Sequence, residues 1–269
     1  MGRAKDIIVK VIPAKIANEF VRKHHYSGKV VNNSSLHFGC FLDGQLHGVI
    51  SYGSPMVKAE VIGLVEGTRW DGLLELNRMA FDEHLPKNSE SRCIAITIRL
   101  IKKQAPQVKW VISFADASLC GDGTIYRASG FSLTSIKKNT SIYKTPDGEV
   151  ACTMTYGKEQ WSRKNNGRAS GSHYLKSIGA ERVAGNQLRY IYLIDKTMKI
   201  TSKILPFSAI DAKGAGMYKG KKISIAERRK QAAAEETGSG VQSETGGLTP
   251  TLPLHFDEAI NGSDQKSFQ

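Results

Sequence analysis

Cysteine is scarce in this sequence, and long apolar runs are absent. The 269 residues include four cysteines, at positions 40, 93, 120 and 152, and no CxxC pair. This wide spacing argues against a zinc knuckle and against a disulfide scaffold. No apolar run approaches the length of about 20 residues that spans a bilayer. The N-terminal segment also breaks its short apolar stretch with lysine, so we expect a soluble intracellular protein with free thiols and no signal peptide.

Acidic residues are outnumbered, and they are unevenly spread. Lys and Arg total 38 against 25 Asp and Glu, for a net charge of +13. Residues 231–269 hold six acids and one base, so residues 1–230 carry +18. A body this basic favours a polyanionic partner, nucleic acid above all, because neutralising phosphates releases condensed counterions. The alternative is that the positive charge only keeps the protein soluble and that there is no polyanionic partner.

The first half of the chain alternates strand and helix patterns. DIIVKVIP predicts a strand, and Pro13 fits the first turn of the helix after it. Two apolar runs around Asp43-Gly44 predict a hairpin, and GLLELNRMAF predicts a further strand. SESRCIAITIRLIKKQAP shows both periodicities. Its length, its Ser and Glu start and its end before proline favour a helix.

Shorter elements follow. VKWVISFAD predicts a buried strand, and GDGTIYRASGF predicts a short helix that stops at Gly130. Four more strands are predicted in SLTSIKK, TSIYKT, EVACTMTYG and QLRYIYLIDK. Strands that alternate with helices but include a tight hairpin indicate a mixed α/β sheet.

Composition divides the chain into three parts. Residues 1–157 form the predicted catalytic core, and residues 158–222 form a basic C-terminal extension that completes it. Within the extension, NNGRASGS is either a phosphate-contacting loop or an ordinary solvated loop. Residues 223–269 contain too little apolar material to fold alone, which predicts a disordered tail.

Polar residues within or just after apolar segments are candidates for chemistry, because clefts collect residues from strand ends and helix starts. Arg78 interrupts the strand ELNRMAF and needs an anionic ligand or a carboxylate such as Glu75. Asp116 ends VISFAD, where it can orient a base, bind a metal or cap a turn. Tyr126 in GTIYRASGF either donates a proton to a leaving group or packs with its hydroxyl bonded.

Two helix ends complete the set of candidates. Ser89, Ser91 and Arg92 open the long helix, where free amides and small hydroxyl residues suit a phosphate. A simple N-cap by Ser89 is the alternative. His25 and Tyr26 follow the first helix in RKHHYSGKV. They either form the wall of a cleft, or the segment only stops the helix at its glycine.

Taken together, HHYSG, ELNRMAF, SFADAS and GTIYRASGF resemble the bacteriophage Mom DNA-modification proteins, over residues 5–200 or so. The order of elements is similar to the acetyl-coenzyme A-binding fold of the GNAT superfamily. The resemblance implies a mixed, mostly antiparallel sheet flanked by helices. Most GNAT enzymes have a glycine-rich pyrophosphate loop, whereas HLPKNSES has no glycine.

The resemblance also implies an activity. The family places a carbamoylmethyl group on the 6-amino nitrogen of adenine in double-stranded phage DNA, which blocks host restriction endonucleases in the host cytoplasm. It implies acetyl-coenzyme A as cofactor, with Ser91 beside it. It implies iron in some members, for which His25 and Asp116 are suitable ligands. The active-site residues that it implies are His25, Tyr26, Arg78, Asp116 and Tyr126.

Two other functions compete with this one. An N-acetyltransferase for a protein or a small amine would share the fold but would not need so basic a body. A non-catalytic DNA-binding protein would keep its effect when His25, Arg78 or Asp116 is replaced by alanine.

Overall fold

The computed structural model describes residues 3–117, 121–153 and 171–213. Its α-helices are α1 (Ala14–His24), α2 (Lys58–Val61), α3 (Ser89–Gln104), α4 (Thr124–Ala128), α5 (Gly171–Ser177) and α6 (Ser208–Lys213). Its strands are β1 (Ile8–Val11), β2 (Ser34–Leu42), β3 (Gln45–Gly53), β4 (Leu73–Phe81), β5 (Trp110–Asp116), β6 (Ser132–Lys138), β7 (Ile142–Lys144), β8 (Val150–Cys152), β9 (Glu181–Arg182) and β10 (Asn186–Leu193). Short 3₁₀ helices cover Arg3–Asp6 and Ile62–Leu64.

In the described part of the chain, seven strands form the main sheet, in the order β1-β2-β3-β4-β5-β10-β6. Neighbouring strands in it are antiparallel except for β4 and β5. A smaller sheet, as far as it is described, has the order β8-β7-β9. The predicted mixed, mostly antiparallel sheet flanked by helices is therefore confirmed. The late strand β10 lies between β5 and β6.

The hairpin of β2 and β3 turns at Asp43 and Gly44, as predicted. Both residues have positive φ, 51° and 78°, as a two-residue type I′ turn requires. Asp tolerates this conformation better than most residues, and Gly has no Cβ to oppose it. The two-residue loop fixes the register of the hairpin, and with it the face on which each side chain lies.

Helices cover both faces of the main sheet. On one face, called the α1 face, Ala17, Phe20 and Val21 of α1 pack against Val49 and Ala80. On the other, called the α3 face, α3 buries residues at helical spacing: Cys93, Ile94, Thr97, Ile98 and Ile101. Burying one such apolar side chain contributes about 1.5–3 kcal/mol. The α3 face carries the largest apolar cluster, and it anchors the sheet.

Strand β4 contains a bulge at Asn77. Leu76 lies opposite Tyr52 of β3, and Arg78 lies opposite Ser51, so Asn77 is an extra residue. A bulge bends the strand and changes which side chains share a face. Neither the spacing nor the composition of ELNRMAF indicates it.

Strands β4 and β5 diverge toward their carboxyl ends. Their parallel ladder covers four residues of each strand and ends at Leu76 opposite Ser113. Beyond it, β4 continues its pairing with β3 and β5 continues its pairing with β10, but β4 and β5 no longer pair with each other. The loop 82–88 then leads from β4 into α3. The separation of β4 and β5 in the middle of the sheet therefore lies next to the start of α3, the longest described helix.

Helix α5 corrects part of the sequence analysis. Gly171 and Ser172, which were assigned to a basic loop, are the first residues of this helix. The helix buries Leu175 against Tyr143 and Ala151 of the smaller sheet, a long-range contact that stabilises a seven-residue helix. The rest of that loop and the predicted C-terminal tail lie outside the described residues.

Candidate active site

The segment after α1 forms a tight turn that fixes His25. Its backbone N–H donates to the Val21 carbonyl over 2.9 Å, and the Gly28 N–H donates back to the His25 carbonyl over 2.8 Å. Gly28 has φ of 59°, which favours glycine. Ser27 Oγ lies 2.8 Å from Nδ1 of His25, and the Ser27 backbone N–H donates to the same nitrogen over 3.2 Å. The two interpretations of the segment are therefore compatible, since the turn that stops the helix also positions the imidazole.

The surroundings of His25 determine its tautomer and its charge. Because Nδ1 accepts from the Ser27 backbone, the proton of the neutral ring is on Nε2. Burial, with a smaller effect of the Arg78 charge, lowers the pKa of His25 to about 4. At neutral pH the imidazole is therefore uncharged and offers Nε2–H as a hydrogen-bond donor.

Tyr26 lies next to this imidazole but faces solvent. Its ring centroid is 4.3 Å from that of His25, and 57% of the residue is exposed. The two ring planes are tilted by 34°. An exposed phenol beside a fixed ring offers a flat surface to an incoming planar group.

The bulge of β4 places Glu75 and Arg78 on the α1 face. Leu76 and Met79 both pack on the α3 face, three positions apart because of the extra residue. Strand alternation on either side of the bulge therefore directs Glu75 and Arg78 to the opposite face. The α1 face is also where the turn after α1 lies.

Arg78 connects the strand to that turn. Its Nε donates to the Lys29 carbonyl over 2.9 Å, and its Nη1 donates to the Asn77 carbonyl over 3.0 Å. The guanidinium thus holds the segment after His25 against the sheet. Its positive charge also acts on His25 and on Glu75.

Glu75 is the ionisable residue of this cluster that the sequence analysis treated only as a possible ion-pair partner. Burial raises the pKa of Glu75 to about 7, and the Arg78 charge opposes this rise. Glu75 lies opposite Ile112 of β5 and Gly53 of β3. A carboxylate that titrates near neutral pH, beside a fixed cation, is suited to general-base chemistry. Its burial comes from strand pairing, which no local sequence pattern reveals.

Asp116 lies at the open end of β5, opposite Gln187 of β10. Ile112 packs in an apolar cluster with Leu73 on the α1 face, and alternation places Asp116 on that face too. Asp116 thus shares the face of His25 and of the β4 cluster.

Tyr126 lies on the other side of the sheet. It is 9% exposed and belongs to the apolar cluster of the α3 face. Its ring lies 5.3 Å from that of Tyr190 and 5.4 Å from that of Phe131. The structure therefore brings His25, Tyr26 and Arg78 close together. Asp116 lies on the same face of the sheet as these residues. Tyr126 lies on the opposite face.

The start of α3 differs from the alternative of a simple cap by Ser89. The N-cap residue is Asn88, in the left-handed conformation with φ of 68°, and it makes no side-chain cap bond. Ser89 is fully buried and donates to the Pro86 carbonyl over 2.5 Å, so the alternative of an N-cap by Ser89 is wrong. Ser91 Oγ donates to the Asn88 carbonyl over 3.2 Å. Asn88 adopts the backbone conformation for which a glycine is usually used.

A groove of about 470 Å³ lies over this helix start. Its lining combines small residues with three cations: Ala4, Lys5, Asn88, Ser91, Arg92, Ala95, Arg99, Ala128 and Ser129. The Arg92 Nη2 donates to the Lys5 carbonyl over 3.1 Å, which orients that guanidinium. The first amides of α3 lack carbonyl partners within the helix, so amides and cations together suit a phosphate group. Of the predicted coenzyme residues, Ser91 and Arg92 line the groove.

Comparison with known proteins gives a family and several similar folds. Residues 6–209 match the model of the Mom protein family. The chain is 33% identical over 195 residues to methylcarbamoylase mom of Escherichia phage Mu, covering 72% of this chain and 78% of the phage protein.

Two solved structures illustrate the similar folds. The ribosomal-protein-S18-alanine N-acetyltransferase of Escherichia coli aligns with a TM-score of 0.40 at 13% identity, over 70% of this chain and 94% of that chain. A GNAT family acetyltransferase from Elizabethkingia anophelis with acetyl-CoA bound aligns with a TM-score of 0.40 at 12% identity, over 70% and 98%. Scores at this level support no functional conclusion.

The family match and the geometry together define a transferase-type enzyme, with an ionisable cluster on one sheet face and a cation-lined groove at a helix start. The chain belongs to the Mom protein family. Within the described residues, every helix is too short or too polar to cross a lipid bilayer.

Iron on His25 and Asp116 stays a prediction. Nδ1 of His25 is engaged by Ser27, which leaves only Nε2 for a metal. Two such ligands fall short of the three protein ligands of common mononuclear iron sites.

Proposed function

We propose that this enzyme places a carbamoylmethyl group on the 6-amino nitrogen of adenine in double-stranded phage DNA. The cluster of His25, Glu75 and Arg78 on the α1 face carries the proposal, together with the 33% identity to a methylcarbamoylase. A bulky group in the major groove would alter the donor pattern that restriction endonucleases read at adenine. The function assigns the protein to the cytoplasm of the infected host.

Acetyl-coenzyme A is the proposed cofactor. The groove at the start of α3 combines amides of the first helical turn with Lys5, Arg92 and Arg99, which would suit the phosphates of the coenzyme. The divergence of β4 and β5 begins at Leu76 and Ser113. The pantetheine arm of a bound coenzyme would lie along this divergence.

Each residue of the cluster has a distinct proposed task. Glu75, with a pKa of about 7, is proposed to act as a general base toward the adenine 6-amino group. The neutral His25 would donate Nε2–H to the carbonyl oxygen of a bound acetyl-coenzyme A. Arg78 holds the turn after His25 in place and adds a positive charge beside it.

DNA recognition has two proposed parts. The charge of +18 on residues 1–230 supplies a sequence-independent grip on phosphates. The exposed ring of Tyr26 then offers a stacking surface for an adenine extruded from the duplex. Extrusion brings the amino group, which is otherwise paired, within reach of Glu75.

The test is the mass of adenosine from cells that produce the enzyme. DNA is isolated from a bacterium expressing the full chain, digested to nucleosides and analysed by mass spectrometry. We expect an adenosine with the added carbamoylmethyl mass, which disappears with Asp116→Ala. Only unmodified adenosine from cells with folded wild-type enzyme would refute the proposal. Acetyl transfer to an amine without DNA would favour an N-acetyltransferase instead.

A further inference from the structure

A second group of ionisable side chains lies away from the proposed active site, where β3 begins and β4 ends. His47 is near the start of β3, and Asp82 directly follows β4. The Asp82 backbone N–H donates to the His47 carbonyl over 3.1 Å. His84 lies two residues further on, and its backbone N–H donates to Oδ1 of Asp82 over 3.0 Å. Antiparallel strand pairing thus brings two imidazoles to one carboxylate.

The distances among these three side chains are short. Nδ1 of His47 lies 2.8 Å from Oδ2 of Asp82, and Nδ1 of His84 lies 3.5 Å from Oδ1. One ligand atom from each of the three residues can be chosen so that all lie within 4.8 Å of one another. The two imidazole ring centroids are 5.1 Å apart.

We propose that His47, Asp82 and His84 bind one divalent transition-metal ion, with Zn²⁺ as the best match. Zn²⁺ binds imidazole nitrogen and carboxylate oxygen at about 2.0–2.2 Å, which places tetrahedral ligand atoms about 3.3–3.5 Å apart. The present N···O distances of 2.8 and 3.5 Å lie close to this spacing, and all three ligand atoms lie within 4.8 Å of one another. Mixed nitrogen and oxygen ligands favour a transition metal over Ca²⁺ or Mg²⁺.

Burial also fits a site that opens to solvent on one side. The side chains of His47 and Asp82 are each 13% exposed, whereas that of His84 is 74% exposed. Packing thus holds the side chains of His47 and Asp82 in place, whereas the exposed side chain of His84 would cover the ion from the solvent side. The fourth position of a tetrahedral ion would face water.

A hydrogen-bonded pair of His47 and Asp82 is the competing explanation. It accounts for the 2.8 Å contact, but it gives no role to the exposed ring of His84. A bound ion would involve all three residues and would tie the β2–β3 hairpin to the loop 82–88. Because that loop leads into α3, the ion would stabilise the approach to the groove without entering the chemistry.

The test uses untagged full-length protein, dialysed against a chelator and titrated with ZnCl₂ by calorimetry. We expect one saturable equivalent, with binding at least tenfold weaker in His84→Ala and in Asp82→Asn. The matched control is His173→Ala, which removes an exposed imidazole from α5 and should bind like the wild type. Zn²⁺ should also raise the Tm of the wild type and not that of His84→Ala.

Two results would overturn the site. One is Zn²⁺ binding that is unchanged in His84→Ala, whose exposed side chain can be removed without unfolding the chain. The other is the absence of saturable binding by wild-type protein. Substitution with Co²⁺ adds a check, because ligation by these residues gives visible bands without a thiolate charge-transfer band.

Discussion

Replacing Glu75 by Gln should stabilise the protein above neutral pH while it inactivates the enzyme. Burial raises the pKa of Glu75 from 4.5 to about 7. Between those two values, the folded state keeps a proton that the unfolded state has released. Stability therefore falls as the pH rises through this window, and the loss is complete above pH 7 or so. Glutamine does not titrate in this pH range, so the stability of the variant does not fall in this way as the pH rises.

The size of the effect follows from the shift in pKa. Integrating the proton linkage from pH 5 to pH 8 gives a relative gain for Glu75→Gln of about 2.5 kcal/mol, as an upper estimate. The measurement is the free energy of unfolding from urea titrations of both proteins at the two pH values. The matched control is Glu60→Gln, which makes the same chemical change at an exposed position of α2 and should show no pH-dependent gain.

A difference in unfolding free energy between Glu75→Gln and wild type that is the same at pH 5 and pH 8 would contradict this prediction. That result would mean that Glu75 titrates near its ordinary value in the folded protein. It could then not act as a base held ready near neutral pH. A gain confined to high pH, combined with loss of activity, is the pattern expected where a functional site reduces stability.

Three further predictions concern the rate, the coenzyme and the fold. The kcat/KM of the wild type should rise about tenfold from pH 6 to pH 8 as Glu75 ionises, and a flat profile would exclude it as the base. Replacing Arg92 and Arg99 by alanine should weaken acetyl-CoA binding in calorimetry, because both cations line the groove; unchanged affinity would place the coenzyme elsewhere. Gly53→Ala should lower the Tm, because a Cβ there would overlap the Asn33 backbone carbonyl, and an unchanged Tm would contradict this close approach.

Local sequence patterns were sufficient for the elements that local chemistry determines. The Asp43-Gly44 turn needs positive φ at two successive residues, and few dipeptides suit that better. The helix SESRCIAITIRLIKKQ was recognisable despite its strand-like alternation, because its length and its ends fit a helix. Arg78 was expected to face a carboxylate or an anionic ligand, and the structure describes hydrogen bonds from it to the neutral Lys29 and Asn77 carbonyls.

What the sequence could not show depends on contacts between distant segments. The burial of Glu75 arises from its neighbours on β3 and β5. Asn88 replaces Ser89 as the N-cap because the loop before α3 turns the Ser89 hydroxyl toward Pro86. The cluster of His47, Asp82 and His84 exists only because β3 and β4 pair. Residues 35 positions apart in sequence offered no spacing that resembles a metal motif.

We propose that the α1 face of this sheet modifies adenine in DNA. The test is the fraction of carbamoylmethyl-adenosine in DNA from cells producing wild-type enzyme, Glu75→Gln or Glu60→Gln at equal soluble levels. We expect the modified nucleoside with the wild type and with Glu60→Gln, and a drop of about 100-fold or more with Glu75→Gln. Equal modification by all three proteins would contradict it.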